Sequence, residues 1–329
     1  MSLNYAEKWQ KQLLALNIQG ALTSPFMTDN VKWLDAKTFH FSTLQTSGFK
    51  NHSRSGGYNA GTVTMTDKPF ILSIDRDIEF LVDKADVDET NQVASIENVA
   101  MVFQKTQAVP ENDARFYEAT SSAAITAGLK STVASLSAYT SANILAKIKA
   151  VIAKVKRYRG SLIVYVKSEL MDLLELALAG KGQITWTSVS GLEHSIETRV
   201  AVIDGCPIME VIDNAGFATK IDYAPEGGGF AKHSDGYDIA ILAASTEMVK
   251  SVKKISSIYY FAPGQHTKGD GYLYQDREMY DTFVFPNGKD GNVDAVAVEY
   301  IVPEEPAPEG GEGGGSGGDD NGGEVVEEN

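Results

Sequence analysis

Cysteine is nearly absent from this sequence, in which Cys206 is the only one among 329 residues. A single cysteine excludes an intramolecular disulfide and a thiolate cluster that would bind a metal ion. The five histidines are scattered without the spacing of a zinc site, so we expect no bound metal. We expect Cys206 itself to be a small apolar core residue, because free cysteine is usually buried.

Long apolar runs are missing as well. No stretch approaches the roughly 20 apolar residues that a membrane span requires. The opening segment, MSLNYAEKWQKQLLALN, lacks the apolar core of a secretory signal. These two absences predict a soluble protein that is made in a cytoplasm and has no membrane partner.

Basic residues are outnumbered by acidic ones, 29 to 44, which gives a net charge of −15. Residues 303–329 hold nine of the acidic side chains and no basic one, so residues 1–302 carry a net charge of −6. This balance excludes a general electrostatic attraction to nucleic acid or to an anionic membrane. Because residues 303–329 are also rich in glycine and poor in apolar groups, we expect them to form a disordered acidic tail.

Motifs for catalysis and cofactor binding are absent from residues 1–302. Asp290, Asn292 and Asp294 begin like a calcium loop, but the positions that require Gly and Glu hold Ala295 and Ile301. We therefore expect a protein that is not an enzyme and that binds no cofactor.

The densest carboxylate cluster, Asp83, Asp86, Asp88 and Glu89, leaves two interpretations open. In the first, these residues surround the start of a helix that Asp88 or Thr90 caps, and every carboxylate lies on a solvated turn. In the second, the cluster forms a metal site or an acid–base pair, and Asp83 and Asp86 would serve a soluble hydrolase, which requires a pocket that perturbs their pKa values.

Hydrophobic periodicity divides the first third of the chain into an arm, a hairpin and a helix. Residues 4–17 predict an amphipathic helix with Trp9 and Leu13 on its apolar face. Residues 38–75 alternate between apolar and polar positions around a loop whose turn-forming residues include Gly56 and Gly57. A ribbon of two strands is marginal in water by itself, so we expect this hairpin to lie on another surface.

The later segments predict helices and strands in irregular order. A helix after residue 90 presents an apolar stripe of Val93, Ile96, Ala100 and Phe103, and Pro110 marks a second helix start. Further helices are expected at 140–160, ended by Gly160, and at 168–180, capped by Ser168, around a buried strand at 161–167. A strand–helix pair is expected at 238–254, and late strands at 282–286 and 295–301. The absence of a regular strand–helix alternation favours the α+β class.

In this order, the segments resemble the major capsid protein of tailed bacteriophages, the HK ninety-seven-like fold, of the type found in phages of Gram-positive bacteria. GFKNHSRSGGYNAGTVTMT (48–66) resembles the extended-loop hairpin of that family. DRDIEFLVDKADVDET (75–90) and NQVASIENVAMVFQKTQAVPENDARFY (91–117) resemble the entry into its spine helix and the segment that follows.

The resemblance implies a division into six parts. These are an N-terminal arm (1–36), an extended β-hairpin loop (37–75), a peripheral domain with the spine helix (76–139), an axial domain (140–280), return strands of the peripheral domain (281–302) and the acidic tail (303–329).

The resemblance also implies a function and partners. The protein would self-assemble through pentamers and hexamers into the icosahedral shell of a virion, which encloses double-stranded DNA without sequence-specific binding and is built in the host cytoplasm. A separate scaffolding protein and a portal would take part in assembly. An encapsulin-like compartment shell, which has the same fold, is the alternative.

Specific residues follow from the same resemblance. Contacts between subunits would come from the extended loop and its base, through Lys50, Arg54, Gly56, Gly57, Tyr58 and Arg76. Arg76 and Asp77 would also brace the loop against the spine helix, which packs through the stripe of Val93, Ile96, Ala100 and Phe103. Trp9 and Leu13 would be the docking candidates for the scaffolding protein.

Overall fold

The computed structural model describes residues 21–28, 32–33, 37–52, 56–89, 96–179, 199–212, 215–287 and 291–303. Several of the sequence predictions lie outside these described residues. They are the helix at 4–17 with Trp9 and Leu13, the acidic tail from residue 304 onward, Arg54 and Val93.

The α-helices of the described ranges are α1 (Lys84–Glu89), α2 (Ile96–Phe103), α3 (Val109–Thr126), α4 (Ile144–Lys154) and α5 (Ser168–Leu178). A π-helical turn, Gln104–Ala108, joins α2 to α3. Short 3-10 helices lie at Ser24–Phe26, Leu136–Ala138 and Lys156–Ser161.

The strands fall into four sheets. A hairpin sheet holds β1 (Lys32–Trp33), β2 (Thr38–Thr46) and β3 (Val63–Ile71). A three-stranded sheet has the order β12 (Val249–Phe261), β13 (Gly271–Val284) and β4 (Ile74–Asp83). A six-stranded sheet has the order β5 (Lys130–Val133), β14 (Val296–Ile301), β11 (Ile239–Ser245), β6 (Leu162–Lys167), β8 (Cys206–Val211) and β7 (Val200–Ile203). A small pair joins β9 (Ile221–Asp222) to β10 (Ala231–Lys232).

The six-stranded sheet forms the main core because helices cover both of its faces. On one face, α4 and α5 pack their predicted apolar positions against the sheet, and Ile144, Ile148 and Ile152 are almost fully buried. On the other face, α3 contributes Phe116 and Tyr117. All six residues of β6 are buried. A strand that is covered on both faces needs apolar side chains on both, which explains why β6 is an almost continuous apolar run.

The prediction of a helix at the end of residues 238–254 is wrong, because β11 and β12 are both strands. Val249 and Val252 lie three positions apart, but they pack into different clusters, Val249 beside the six-stranded sheet and Val252 under the hairpin base. The register of β12 against β13 shifts between Ile255 and Ser257, which is a β-bulge. The extra residue turns Ile255 and Ile258 toward the same cluster, although they are three positions apart.

The later strands pair across the predicted domain boundaries. β12 and most of β13 were expected in the axial body at 140–280, but they pair with β4 in the three-stranded sheet. β14 was expected to return to the peripheral part, but it lies between β5 and β11 inside the six-stranded sheet. Five of its six residues are buried, as expected for a strand that has a neighbour on each side.

Three predicted helix ends differ from the structure. Helix α3 begins at Val109 beside Pro110, as expected, but it continues from α2 without a break. The wide π-helical turn gives room to the proline ring, which would crowd the preceding turn of an α-helix. Helix α4 ends at Lys154 and passes into a 3-10 helix before Gly160. The Ser168 hydroxyl donates to Glu210 Oε1 (2.6 Å) and does not cap α5.

Residues 21–28 of the predicted N-terminal arm (1–36) pack against the rest of the chain. Phe26 is completely buried, with its ring 4.6 Å from that of Phe116 and 6.3 Å from that of Tyr165. The Asp113 carboxylate accepts hydrogen bonds from the backbone N–H groups of Leu22 (3.0 Å) and Thr23 (3.1 Å). This segment is therefore part of the core between α3 and the six-stranded sheet.

We predict that Phe26→Ala lowers the free energy of unfolding by about 3–5 kcal/mol, because it leaves a cavity beside α3. Urea denaturation followed by circular dichroism measures the change. Phe49→Ala is the matched control, since Phe49 is fully exposed in the hairpin loop and its removal is expected to change stability by less than about 0.5 kcal/mol. Equal stabilities for the two variants would contradict the burial of residues 21–28.

Candidate subunit-contact surface

The hairpin predicted at 38–75 is present. Strands β2 and β3 pair over nine residues, from Thr38 opposite Ile71 to Thr46 opposite Val63. At about 3.4 Å per residue, this ribbon is about 30 Å long. The loop beyond it spans residues 47–62.

Local hydrogen bonds close this loop. The backbone N–H of Ser47 donates to Thr62 O (2.9 Å), and the N–H of Thr62 donates to Ser47 Oγ (2.9 Å). Lys50 Nζ donates to Ala60 O at 3.3 Å. Gly57 has a φ of +70°, which explains why glycine is found at this point of the turn.

The loop and the outer end of the ribbon pack on nothing else in the described part of the chain. Every described residue from 46 to 65 is exposed. Phe49 and Tyr58 are fully exposed, and the ring nearest to Tyr58 is that of the equally exposed His52, at 6.2 Å. The predicted residues Lys50, Gly56, Gly57 and Tyr58 therefore share one solvent-facing loop.

Strand β3 has two different faces, as its alternating sequence indicates, and the face that carries Val63, Met65 and Ile71 is exposed. Val63 and Met65 are each 68% exposed, and Ile71 is 62% exposed. The inward residue is Phe70, on the opposite face of the strand. Its ring lies 5.3 Å from Phe283.

Aromatic packing fixes the base of the hairpin on the three-stranded sheet. Phe39 is 1% exposed and lies between the rings of Phe70 (5.7 Å) and Phe283 (5.2 Å). Val252 and Met279 complete this cluster. The ribbon is thus anchored at one end only.

A polar contact reinforces the same base. Ser73 donates to Asp281 Oδ2 through its N–H (3.1 Å) and its hydroxyl (2.6 Å), and Arg115 Nε donates to Asp281 Oδ1 (2.9 Å). Burial alone would lower the pKa of Arg115, but the charge of Asp281 and the hydrogen bond to Glu118 raise it above the ordinary value. Arg115 therefore stays charged and ties α3 to the hairpin base.

Arg76 was predicted both as a contact between subunits and as a brace against the spine helix, and the structure places it in contacts within the chain. Its Nε lies 2.9 Å from Glu111 Oε1 on α3, and its Nη2 donates to Gly229 O (2.8 Å). It also donates to Tyr223 O, while the Tyr280 hydroxyl donates to Glu111. These contacts occupy the guanidinium and join β4 to α3.

The predicted spine stripe is found in part. Ala100 is 1% exposed and packs with Ile258 and Tyr274. The Phe103 ring lies 5.4 Å from Phe80, which stacks on Tyr274 at 6.2 Å. Ile96 begins α2, but its side chain is outside the described residues.

A buried polar cluster, which no pattern in the sequence predicts, lies beneath the π-helical turn. Gln104 Nε2 donates to Asp276 Oδ2 (3.2 Å) and Glu278 Oε1 (2.8 Å), and Lys253 Nζ lies 2.8 Å from Glu278 Oε2. The Tyr274 hydroxyl also donates to Asp276 Oδ2 (2.9 Å). Burial, followed by the charge of Glu278, raises the pKa of Asp276 to about 7.

The hydrolase interpretation of Asp83 and Asp86 gains no support from their positions. Asp83 Oδ1 accepts the N–H of Ala85 (2.8 Å), so it caps the short helix α1. The helix that Asp88 or Thr90 was predicted to cap would start within residues 90–95, which lie outside the described residues. Both Asp83 and Asp86 are exposed, and neither lines the open groove between α3 and residues 219–237.

Three further features concern Cys206, possible metal ligands and the length of the helices. Cys206 is buried, and burial raises the pKa of its thiol, as expected for a core residue. Among the described residues, no group of three or more His, Cys, Asp and Glu side chains is arranged to hold a metal ion. The helices in the same ranges are each too short or too polar to cross a bilayer.

We predict that Arg76→Met lowers the free energy of unfolding by about 3 kcal/mol, because it leaves the Glu111 carboxylate buried without its cation. Chemical denaturation measures the loss, and adding Glu111→Gln in the same chain is expected to recover part of it. Arg277→Met, which removes an exposed arginine bound to Asp75, is the control and should cost much less. Equal losses in both single variants would argue against the brace.

We predict a pH dependence at the π-helical turn. Because the folded pKa of Asp276 is raised from 3.8 to about 7, its proton stabilises the docked helix fully below pH 3.8, and this contribution is lost as the pH rises to about 7. The equilibrium constant for local opening should then rise about tenfold per pH unit in this window.

Hydrogen-exchange protection factors for α2 and the turn measure this opening. Asp276→Asn should remove the slope, whereas Glu79→Gln, on the opposite face of the same sheet, should retain it. An unchanged slope in Asp276→Asn would exclude Asp276 as its source.

Comparison with known proteins gives matches at the level of structure. No family model and no curated protein matches the sequence. A structure from Mycobacterium phage Ogopogo is 10% identical, with a TM-score of 0.52 over 86% of this chain and 92% of that one. A structure from Mycobacterium phage Adephagia is 16% identical, with a TM-score of 0.50 over 88% and 92%.

A capsid structure of the cyanophage P-SCSP1u is also similar, at 9% identity and a TM-score of 0.49 over 82% of this chain and 84% of that one. At such identities, a structural likeness shows the fold. The chain therefore has the α+β, HK ninety-seven-like capsid fold that its sequence predicts.

Proposed function

We propose that this protein is the major capsid protein of a tailed bacteriophage and assembles through pentamers and hexamers into an icosahedral shell. The observation that carries the proposal is the hairpin, which is anchored at its base and exposes Phe49 and Tyr58 at its tip. The shared fold supports the same conclusion, because an extended loop of this kind reaches across a neighbouring subunit in capsids.

The marginal stability of a two-stranded ribbon explains why the exposed hairpin would need a partner surface. An isolated two-stranded ribbon is marginal in water, so a ribbon about 30 Å long needs a surface to lie on. Burying one large apolar side chain in a neighbour contributes about 1.5–3 kcal/mol. Each such contact is weak, but the same contact is repeated at every subunit of a closed shell. The total free energy of association is therefore large.

The domains of the proposed subunit follow the sheets. The peripheral domain consists of β4, α2, α3, β12 and β13, and the axial domain is built on the six-stranded sheet. The shell encloses double-stranded DNA without sequence-specific contacts, in keeping with the net negative charge of the chain. We assign the protein to the virion, with assembly in the host cytoplasm.

We also propose that a separate scaffolding protein and a portal take part in assembly. Trp9 and Leu13 are the docking candidates for the scaffolding protein, because they lie at helical spacing on one apolar face of the sequence.

An encapsulin-like compartment shell remains the second candidate, because the same fold serves both. The two differ in content, since a compartment shell holds cargo proteins and a capsid holds a genome. A hydrolase ranks below both, since Asp83 caps a helix on an exposed turn.

The test is to produce the chain with and without the neighbouring phage structural genes and to examine the product by electron microscopy and analytical ultracentrifugation. Closed shells, or pentamers and hexamers, are expected. Nucleic acid and not cargo protein is expected inside particles purified from infected cells. A chain that stays monomeric under both conditions would overturn the proposal.

We predict that replacing residues 48–61 by Asn-Gly abolishes assembly and leaves the fold intact. The two-residue turn connects Ser47 and Thr62, which are already hydrogen-bonded, so the ribbon keeps its register. Circular dichroism and thermal unfolding should match those of the parent chain, while sedimentation should show monomers. Normal shells from this variant would show that the loop is dispensable.

A further inference from the structure

The charges of this chain are separated along its sequence. Residues 119–168 contain eight basic side chains and no acidic one, whereas the acidic tail (303–329) contains nine acidic side chains and no basic one. Segments of opposite sign attract each other, and runs of like charge often serve as interaction tails. The two segments are therefore complementary in charge, and the fold decides whether they can meet.

Helix α4 and the 3-10 helix that follows it carry six of the eight basic side chains, and three of these six have partners within the chain. Lys149 Nζ and Arg159 Nη2 each lie 3.6 Å from a carboxylate oxygen of Asp204, in the turn between β7 and β8. Arg157 Nη1 lies 3.3 Å from Asp294 Oδ2. Because these three cations are already paired, they are weak candidates for binding another anion.

Lys130, Lys147 and Lys154 form a second group at the opposite side of α4, called the basic row here. Lys154 Nζ donates to the backbone oxygen of Lys130 in β5 (2.6 Å), and Lys147 lies two turns earlier on α4, with its Nζ 6.0 Å from the centre of the Tyr139 ring. Strands β5 and β7 are the two edges of the six-stranded sheet, so the basic row and Asp204 lie at opposite edges. Among the described residues, no carboxylate forms an ion pair with a lysine of the basic row.

The buried carboxylate of Glu299 neutralises only part of this charge. Glu299 is 3% exposed and accepts hydrogen bonds from the hydroxyls of Tyr139 (2.6 Å) and Ser131 (2.8 Å). Burial lowers the pKa of Lys154, and the charge of Glu299 opposes this shift. One negative charge against the three lysines leaves the basic row with a net positive charge.

The acidic tail leaves the fold at the same edge of the sheet. The backbone N–H of Val302 donates to Val133 O (2.9 Å), and Val133 is three residues, or about 10 Å, along β5 from Lys130. The 26 residues after Pro303 include nine glycines. A glycine-rich chain of this length spans about 28 Å on average, so the tail can reach every lysine of the basic row.

We propose that the acidic tail docks on the basic row of its own chain. Each surface ion pair is weak, but the tail offers nine carboxylates in many alternative registers, and its attachment beside the row gives it a high effective concentration there. The attraction is electrostatic, so salt weakens it. This inference goes beyond the proposed function and does not depend on it.

A nitroxide on the tail of the full chain reports docking. Ser316→Cys carries the label, and the natural Cys206 is completely buried, so it is protected from the reagent. Lys130→Gln with Lys147→Gln removes two charges from the basic row. The matched control, Lys149→Gln with Arg159→Gln, removes two charges from the Asp204 side of α4. Circular dichroism and thermal unfolding check that both variants keep the fold.

Electron paramagnetic resonance at low salt should show an immobilised fraction of the label in the parent chain. We expect this fraction to fall about threefold or more in the basic-row variant, and likewise in 1 M salt, where the screening length is only about 3 Å. The control variant should resemble the parent chain, because its altered cations already have a carboxylate partner.

Carbodiimide cross-linking of an equal mixture of isotopically heavy and light chains identifies the partner of the tail. The reagent joins a lysine to a carboxylate in contact with it, and the exposed pair of Lys268 with Glu79 (2.5 Å) serves as an internal reference. Mass spectrometry should find tail carboxylates joined to Lys130, Lys147 or Lys154 of the same isotopic species.

Three results would overturn the inference. A label that is equally mobile in the parent chain and in both variants would mean that the tail does not dock. Equal losses in the basic-row and control variants would mean that the tail responds to net charge and not to this site. Cross-links that combine heavy and light chains as often as chance allows would place the tail on a second copy. None of these readouts requires shell assembly, so the proposed function is tested separately.

Discussion

The charge pairs of α3 are the interaction on which the rest of the structure depends. Glu111 binds Arg76 of β4, and Arg115 binds Asp281 of β13, so one helix is bound to two neighbouring strands of the three-stranded sheet. The same helix buries Phe116 and Tyr117 against the six-stranded sheet. Breaking a buried ion pair leaves an uncompensated charge, which costs more than the pair contributes when intact. The two sheets, and the hairpin that rests on one of them, therefore keep a fixed arrangement around α3.

Elements with one consistent period could be predicted from the sequence, and elements with a local irregularity could not. The helical spacing of Ile144, Ile148 and Ile152 predicts α4, and the mostly apolar run at residues 162–167 predicts β6. In β12, a bulge places Ile255 and Ile258 on one side, so the apolar residues of this strand do not keep a period of two. Pro110 marked the start of α3, but only the coordinates reveal the π-helical turn that lets the helix continue through it.

Prediction of the hairpin and of Arg76 from the sequence was limited in the same way. Glycines and polar residues located the loop at residues 47–62, and a two-residue period located its strands. Alternation establishes that a strand has two faces, but it does not tell which of them is buried. That choice depends on Phe39, Phe70 and Phe283, which come from three different strands and meet only in the folded chain. Arg76 was recognisable as a brace, but its partners Glu111 and Gly229 are 35 and 153 residues away.

The pairing of β4 with β13 has a consequence for synthesis. Strand β4 lies near the start of the chain, and its partner ends at Val284, so the two can meet only after most of the polypeptide has left the ribosome. Pairings of such high contact order form late. Until β13 has been synthesised, Phe39 and Phe70 have no sheet to pack on, so the orientation of the hairpin is not fixed. The base of the hairpin can therefore be completed only after the chain has been synthesised as far as Val284.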